Sequence, residues 1–249
     1  MSWCCSNTHT CCLSVPACFF SFYIIFQDWK EDLWMKRFIR DHVRYQDEIQ
    51  CAAGRLVHQI REHARQRDPI GNPDGIFDTF HIRRGDFQFH TTRIEASDIY
   101  RNSRDQLTEN STIYIATDER DKTFFEPLRD HYHLLFMDDF KTELKGVNTN
   151  YYGMIDQLVA SKGRIFFGCF FSSFTGYINR LRGYHSVLDK APGYTKGELP
   201  TTYYYATLDK KFIMHEYTPL KAGFFNREYP TSWRDINQGI GMLRTTLKE

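Results

Sequence analysis

The sequence predicts an α/β fold, a Rossmann-like parallel sheet flanked by helices. Short apolar runs alternate with helical patterns along the middle of the chain, the rhythm of strand–helix–strand units. Each run ends in polar or charged residues, as strands do where they enter loops at one sheet edge. The 249 residues are 41% hydrophobic and 16% aromatic, enough to bury a sizeable core and unlike a disordered chain.

In chain order, Ala52, Leu56, Val57, Ile60 and Ala64 recur at helical spacing. Asp68-Pro69 and Asn72-Pro73-Asp74-Gly75 stop that helix. Ile76–Ile82 reads as a buried strand and runs into Arg83-Arg84-Gly85-Asp86. Ala96–Leu107 reads as a helix with Ser97 as its cap. Thr112–Ala116 is the next strand, ending in Thr117-Asp118. Lys122–Asp130 is helical, and His133–Met137 is a strand leading into Asp138-Asp139. Tyr151–Ala160 is a helix, Arg164–Gly168 a strand, and Ser173–Leu181 the helix after it. Beyond Gly183 the composition, rich in Tyr, Pro and Gly, assigns no element; a return across the sheet is open.

The N-terminus is different. Cys11–Phe26 is apolar or small nearly throughout, yet shorter than the roughly 20 residues of a membrane span. It reads either as a signal or short membrane-anchoring segment or as a start foreign to the native chain. Five of the seven cysteines lie before residue 19, without zinc-site spacing. A Cys51–Cys169 bridge is left open. Asn110-Ser111-Thr112 is a glycosylation triplet and hints at the secretory route, endoplasmic reticulum or Golgi. Two segments follow, residues 1–27 and a Rossmann-like unit over 28–249.

Several function classes drop away. A net charge of +1 gives no reason to expect nucleic acid as a partner. No G-x-G-x-x-G and no Walker loop occurs, which disfavours dinucleotide and ATPase readings. Arg84-Gly85-Asp86 spells an adhesion triplet, but it abuts an apolar strand where a receptor needs a mobile loop.

Two constellations carry chemistry. The first is His81-Ile82-Arg83-Arg84-Gly85-Asp86-Phe87, past a strand's carboxyl end, where open α/β sheets bind ligands. A guanidinium matches phosphate oxygens bidentately and can meet the charge on a departing diphosphate. Asp86 is placed to pair one arginine, and the same residues also read as a surface Arg–Asp pair. The second is the turn Gly168–Gly176, where hydroxyls and helix-start N–H groups suit an anion. Ser172 and Ser173 there are equally ordinary N-cap residues. Together the two loops suggest a nucleotide diphosphate, provided that Arg83 and Ser173 share one side of the molecule. Asp156 is either a guanine-edge acceptor or a helix-surface aspartate. His131, His133 and His215 lack partner sets, Asp138-Asp139 reads as a loop or cap before a metal site, and Trp233 and Tyr203–Tyr205 read as packing.

These blocks in order resemble the protein O-fucosyltransferase family. His81–Phe87 (HIRRGDF) is similar to its arginine motif, Ile113–Asp118 (IYIATD) to its next strand, and Ile155–Tyr184 to its third block with the Ser-Ser-Phe-Thr turn. Arg40–Ala53 is similar to stretches upstream of the arginine motif, and the likeness covers roughly residues 35 to 240. The resemblance implies one half of a two-domain GT-B fold, an inverting transfer of fucose from GDP-fucose to Ser or Thr of a protein acceptor, and no metal cofactor. It further implies that Arg83 contacts the GDP phosphates and assists their departure, with His81 supporting it. Asp156 would contact guanine, and Ser172, Ser173, Phe174 and Thr175 would line the nucleotide pocket. Asp118 would stand near the sugar or act structurally. The family's N-terminal glycine-rich turn is not found, so the chain reads as the donor-binding half. A donor-binding module without turnover is the alternative.

Overall fold

The computed structural model describes residues 44–86 and 90–206, with the isolated positions 35 and 38. The apolar stretch 11–26, Phe87, His215 and Trp233 lie outside the described residues. The described chain forms five parallel strands: β1 (Asp78–Ile82), β2 (Thr112–Thr117), β3 (His133–Phe136), β4 (Phe166–Gly168) and β5 (Thr202–Tyr204). Their order in the sheet is β3-β2-β1-β4-β5, all pairings parallel. The helices are α1 (Asp47–Arg67), α2 (Ala96–Ser103), α3 (Glu126–Arg129), α4 (Tyr152–Ala160) and α5 (Ser173–Leu188).

The period-two alternation of each strand divides the core between two layers. On one face Tyr114 and Ala116 of β2 pack with Leu56 and Ile60 of α1 and Ile155 and Val159 of α4. On the other, Ile113 and Ile115 pack with Phe80 and Ile82 of β1, Ile99 of α2 and Leu128 of α3. α5 joins the first face, where Ile178 meets Phe166 and Ala160. β1 is buried at every position, as a central parallel strand covered on both faces must be. A run of stacked rings crosses three strands: Phe80 on Phe167 at 4.9 Å, then Phe167 on Tyr203 at 5.2 Å. Phe80 and Phe167, both fully buried, contribute about 1.5–3 kcal/mol each.

The sequence locates the elements well and their ends less well. α1 extends beyond the Ala52–Ala64 stripe by five residues at its start and three at its end. The Lys122–Asp130 stretch is a 3-10 turn (Lys122–Phe125) followed by a single α turn, with Pro127 at its start. The N-cap of α2 is Glu95, without a side-chain bond, and not Ser97. β4 begins at Phe166 because Arg164 is turned aside: its guanidinium holds the buried Asp78 through two bonds, at 3.0 and 2.8 Å. β5 is the element the sequence leaves open. Arg182 of α5 anchors its start, donating to Thr202 Oγ1 at 2.9 Å and to the Gly163 carbonyl at 2.6 Å. Burial lowers that guanidinium's pKa to about 10. Cys51 and Cys169 are thiols, so the bridge left open by the sequence is not made. Tyr203, Tyr204 and Tyr205 pack, as expected: Tyr203 stacks on Phe167, and the other two are buried. Among the described residues no helix is long and apolar enough to cross a membrane.

Candidate functional site

All five strands point the same way, so the residues after β1, β2, β4 and β5 gather at one carboxyl-terminal edge. β1 is the central strand, with β2 on one side and β4 on the other. Arg83 follows β1 and the Ser172–Thr175 turn follows β4, so the two loops are edge neighbours.

A buried polar relay ties them together. His81, the penultimate residue of β1, is 5% exposed. Its Nδ1 lies 2.7 Å from Thr175 Oγ1, and that oxygen also accepts the Cys169 N–H at 2.9 Å. The His81 ring stacks on Phe174 at 4.4 Å. Burial drives the His81 pKa down to about 3; Asp118 opposes the shift and Arg83 adds to it. The imidazole is therefore neutral at ordinary pH. Gly168 makes the relay possible, since a Cβ there would meet Thr175 Cγ2 at 2.3 Å.

The turn that precedes α5 is strained. Phe171 has φ 65°, a left-handed conformation that bulky residues rarely adopt. Ser172 occupies the N-cap of α5 but makes no side-chain cap bond. Ser172 is buried and Ser173 exposed. The first-turn N–H groups of α5 are thus left uncapped by the side chain that ordinarily covers them.

The arginine loop is arranged differently from the sequence reading. Asp86 does not pair an arginine through its carboxylate; its backbone carbonyl accepts from Arg83 Nη2 at 3.0 Å. The carboxylate facing Arg83 is Asp118, at 2.9 Å from Nη1, supplied by the end of the neighbouring strand. Arg84 turns away to Glu119 at 3.0 Å and to the Ile94 carbonyl at 3.1 Å, its guanidinium 3.6 Å above the Phe124 ring. Arg84 and Gly85 of the Arg-Gly-Asp triplet are thus bonded to Asp118, Glu119 and Ile94. Tyr205, just past β5, accepts the Arg83 N–H at 3.3 Å and was not singled out from the sequence as a site residue. No signal in its Tyr-rich surroundings distinguishes it.

Asp156 lies on α4, one turn after Gly153, whose Cβ position would stand 3.7 Å from the Phe174 ring. It is partly buried, and its Oδ1 accepts a short 2.5 Å bond from the Tyr114 hydroxyl. Burial raises its pKa to about 7, with Asp138 adding to the shift and Tyr114 and Lys122 opposing it. The Tyr114 hydroxyl is pushed well above its usual value, first by burial and then by Asp156. Asp156 is thus tied to the sheet through Tyr114 rather than lying free on the helix surface. Elsewhere, Asp139 accepts the Phe136 N–H at 2.8 Å, and His131 pairs with Glu109 at 2.7 Å. Among the described residues no three His, Cys, Asp or Glu side chains converge to hold a metal.

Fold and edge together define the class: an α/β Rossmann-like domain whose carboxyl edge collects a guanidinium, a neutral imidazole and a helix start. The family described as GDP-fucose protein O-fucosyltransferase matches residues 5–185. That is well over half of the chain, and the chain belongs to this family. The family is one of fucosyltransferases, and membership implies glycosyltransferase activity with GDP-fucose as donor and a protein as acceptor. The match stops short of β5. No curated protein matches the chain.

Proposed function

We propose that this chain binds GDP-fucose across the carboxyl edge of its sheet and supports inverting transfer of fucose to a Ser or Thr hydroxyl of a protein. The observation that carries the reading is the adjacency of Arg83 and the Ser172–Thr175 turn at the ends of paired strands, coupled through His81 and Thr175. Arg83 meets the diphosphate. As the bond between fucose C1 and the β-phosphate oxygen breaks, negative charge grows on GDP and the guanidinium stabilises it. His81, neutral and stacked on Phe174, holds the turn in register with β1 without adding charge. The N–H groups at the start of α5 face the same anion. Asp156 as a carboxylate accepts N–H donors from the guanine edge. The acceptor hydroxyl attacks C1 from the side opposite GDP, which requires it to be held in line. No metal enters this scheme, and the glycosylation triplet and residues 11–26 favour the secretory lumen as the compartment.

Calorimetric titration tests the reading. GDP binds without added metal, and Arg83→Ala weakens it by about 1–3 kcal/mol, roughly 5- to 150-fold. Folded protein that takes up no GDP refutes it. Release of GDP from GDP-fucose separates a turning-over enzyme from a donor-binding module.

A further inference from the structure

At this edge Asp118 takes three donors from the arginine loop, and its task is the least defined. It follows β2, beside the start of the arginine loop. Its Oδ1 accepts the Arg84 N–H at 2.7 Å. Its Oδ2 accepts the Gly85 N–H at 2.9 Å and stands 2.9 Å from Arg83 Nη1. From the other side of β1, the Tyr205 hydroxyl takes the Arg83 N–H at 3.3 Å. Three successive amides, 83 to 85, are therefore held by side chains from the ends of two other strands. Glycine at 85 is what allows the carboxylate to close in, because a Cβ there would meet Asp118 Oδ2 at 2.5 Å.

The outcome is a sorting of two adjacent arginines. Arg84 is 17% exposed and drawn onto Glu119, the residue after Asp118. Arg83 is 38% exposed, with its Nη1 set against Asp118. A carboxylate engaged with three donors has little capacity left for a sugar hydroxyl unless it gives one up.

We propose that Asp118 is a positioning residue: it shapes the 83–85 backbone and aims the Arg83 guanidinium, and it acts on the donor only through Arg83. The inference rests on the reading of Arg83 as the diphosphate ligand.

A double-mutant cycle on GDP affinity tests it. Asp118→Asn removes the charge and places an N–H₂ against donors. Asp118→Glu keeps the charge but not the reach. Both weaken GDP binding about 10-fold, the loss expected for one misplaced charged hydrogen bond. In the Arg83→Ala background neither weakens it further. Gly85→Ala, which displaces the carboxylate without deleting it, follows the same pattern and serves if the Asp118 variants fold poorly. Additive losses would overturn the proposal, since Asp118 would then act on the ligand or the fold independently. So would Asp118→Glu binding as wild type does, because charge alone would suffice. If wild-type protein binds no GDP, the functional reading fails and the positioning claim is decided on the free protein. Amide hydrogen exchange at Arg84 and Gly85 is then about 10-fold or more faster in Asp118→Asn; unchanged exchange overturns the clamp.

Discussion

Replacing Asp156 by Asn tests whether stability has been given up at the site. A carboxyl moved from 3.8 to about 7 by burial has its ionised form penalised by about 4 kcal/mol, at 1.36 kcal/mol per pH unit. Between those two values the folded protein keeps a proton that the unfolded chain releases. Stability therefore falls as pH rises from about 4 to about 7 and is level above that. Asn retains an oxygen for the Tyr114 hydroxyl and has no charge to bury. The variant should thus be more stable than wild type, by roughly 1.5 kcal/mol at pH 5 and about 4 kcal/mol at pH 8. Urea unfolding at the two pH values measures the gap. A gap that does not widen with pH refutes the reasoning, because the carboxyl would then titrate alike in both states. GDP affinity supplies a second arm. If the ionised carboxylate accepts guanine N–H groups, wild-type affinity drops as pH falls below about 7, and Asp156→Asn loses both affinity and pH dependence.

Three further outcomes follow from the relay behind the arginine loop. Thr175→Val keeps the side-chain shape but strands the Cys169 N–H and removes the partner of His81 Nδ1; it should destabilise by about 2–6 kcal/mol in chemical denaturation, from two buried groups at roughly 1–3 kcal/mol each. Gly168→Ala drives a methyl into Thr175 and should cost about 1–3 kcal/mol by overpacking, with GDP affinity falling alongside. His81, whose pKa is lowered to about 3, should show no NMR titration between pH 5 and 8; its folded form resists protonation, so its contribution to stability is present above about 6.5 and is lost progressively as pH falls below it.

What the sequence disclosed and what it withheld divide along physical lines. Local periodicity exposed α1, through Ala52, Leu56, Ile60 and Ala64, and the apolar runs exposed β1 to β4. The parallel sheet follows from that alternation alone. β5 stayed hidden because Thr202–Tyr204 is short, and its place is set by Arg182 and by pairing with β4, neither of which is local. The loop residues at the site were legible as types: an arginine after a strand, a hydroxyl-rich turn before a helix. Their partners were not. Asp86, three residues from Arg83, was the nearest candidate in sequence, yet Asp118 is the carboxylate that reaches it, because strand order places the end of β2 beside that of β1. The same holds for Tyr114 and Asp156, which meet only because α4 lies on the face to which Tyr114 points. Spacing shows which residues share an element; it is silent on which elements share an edge.

The dependence of the Arg83 amide on Tyr205, 122 positions downstream, has a consequence for biosynthesis. At about 5–20 residues per second, a nascent chain waits roughly 6–25 s between emergence of the arginine and emergence of the tyrosine beneath it. For the last part of that interval, about 2–7 s between emergence of β4 and of β5, β4 has no outer neighbour and its edge is open to foreign strands. The arginine loop is thus completed only when β5, the last of the described strands, docks, and a chain ending before residue 202 would have most of the described core but an unfinished arginine loop.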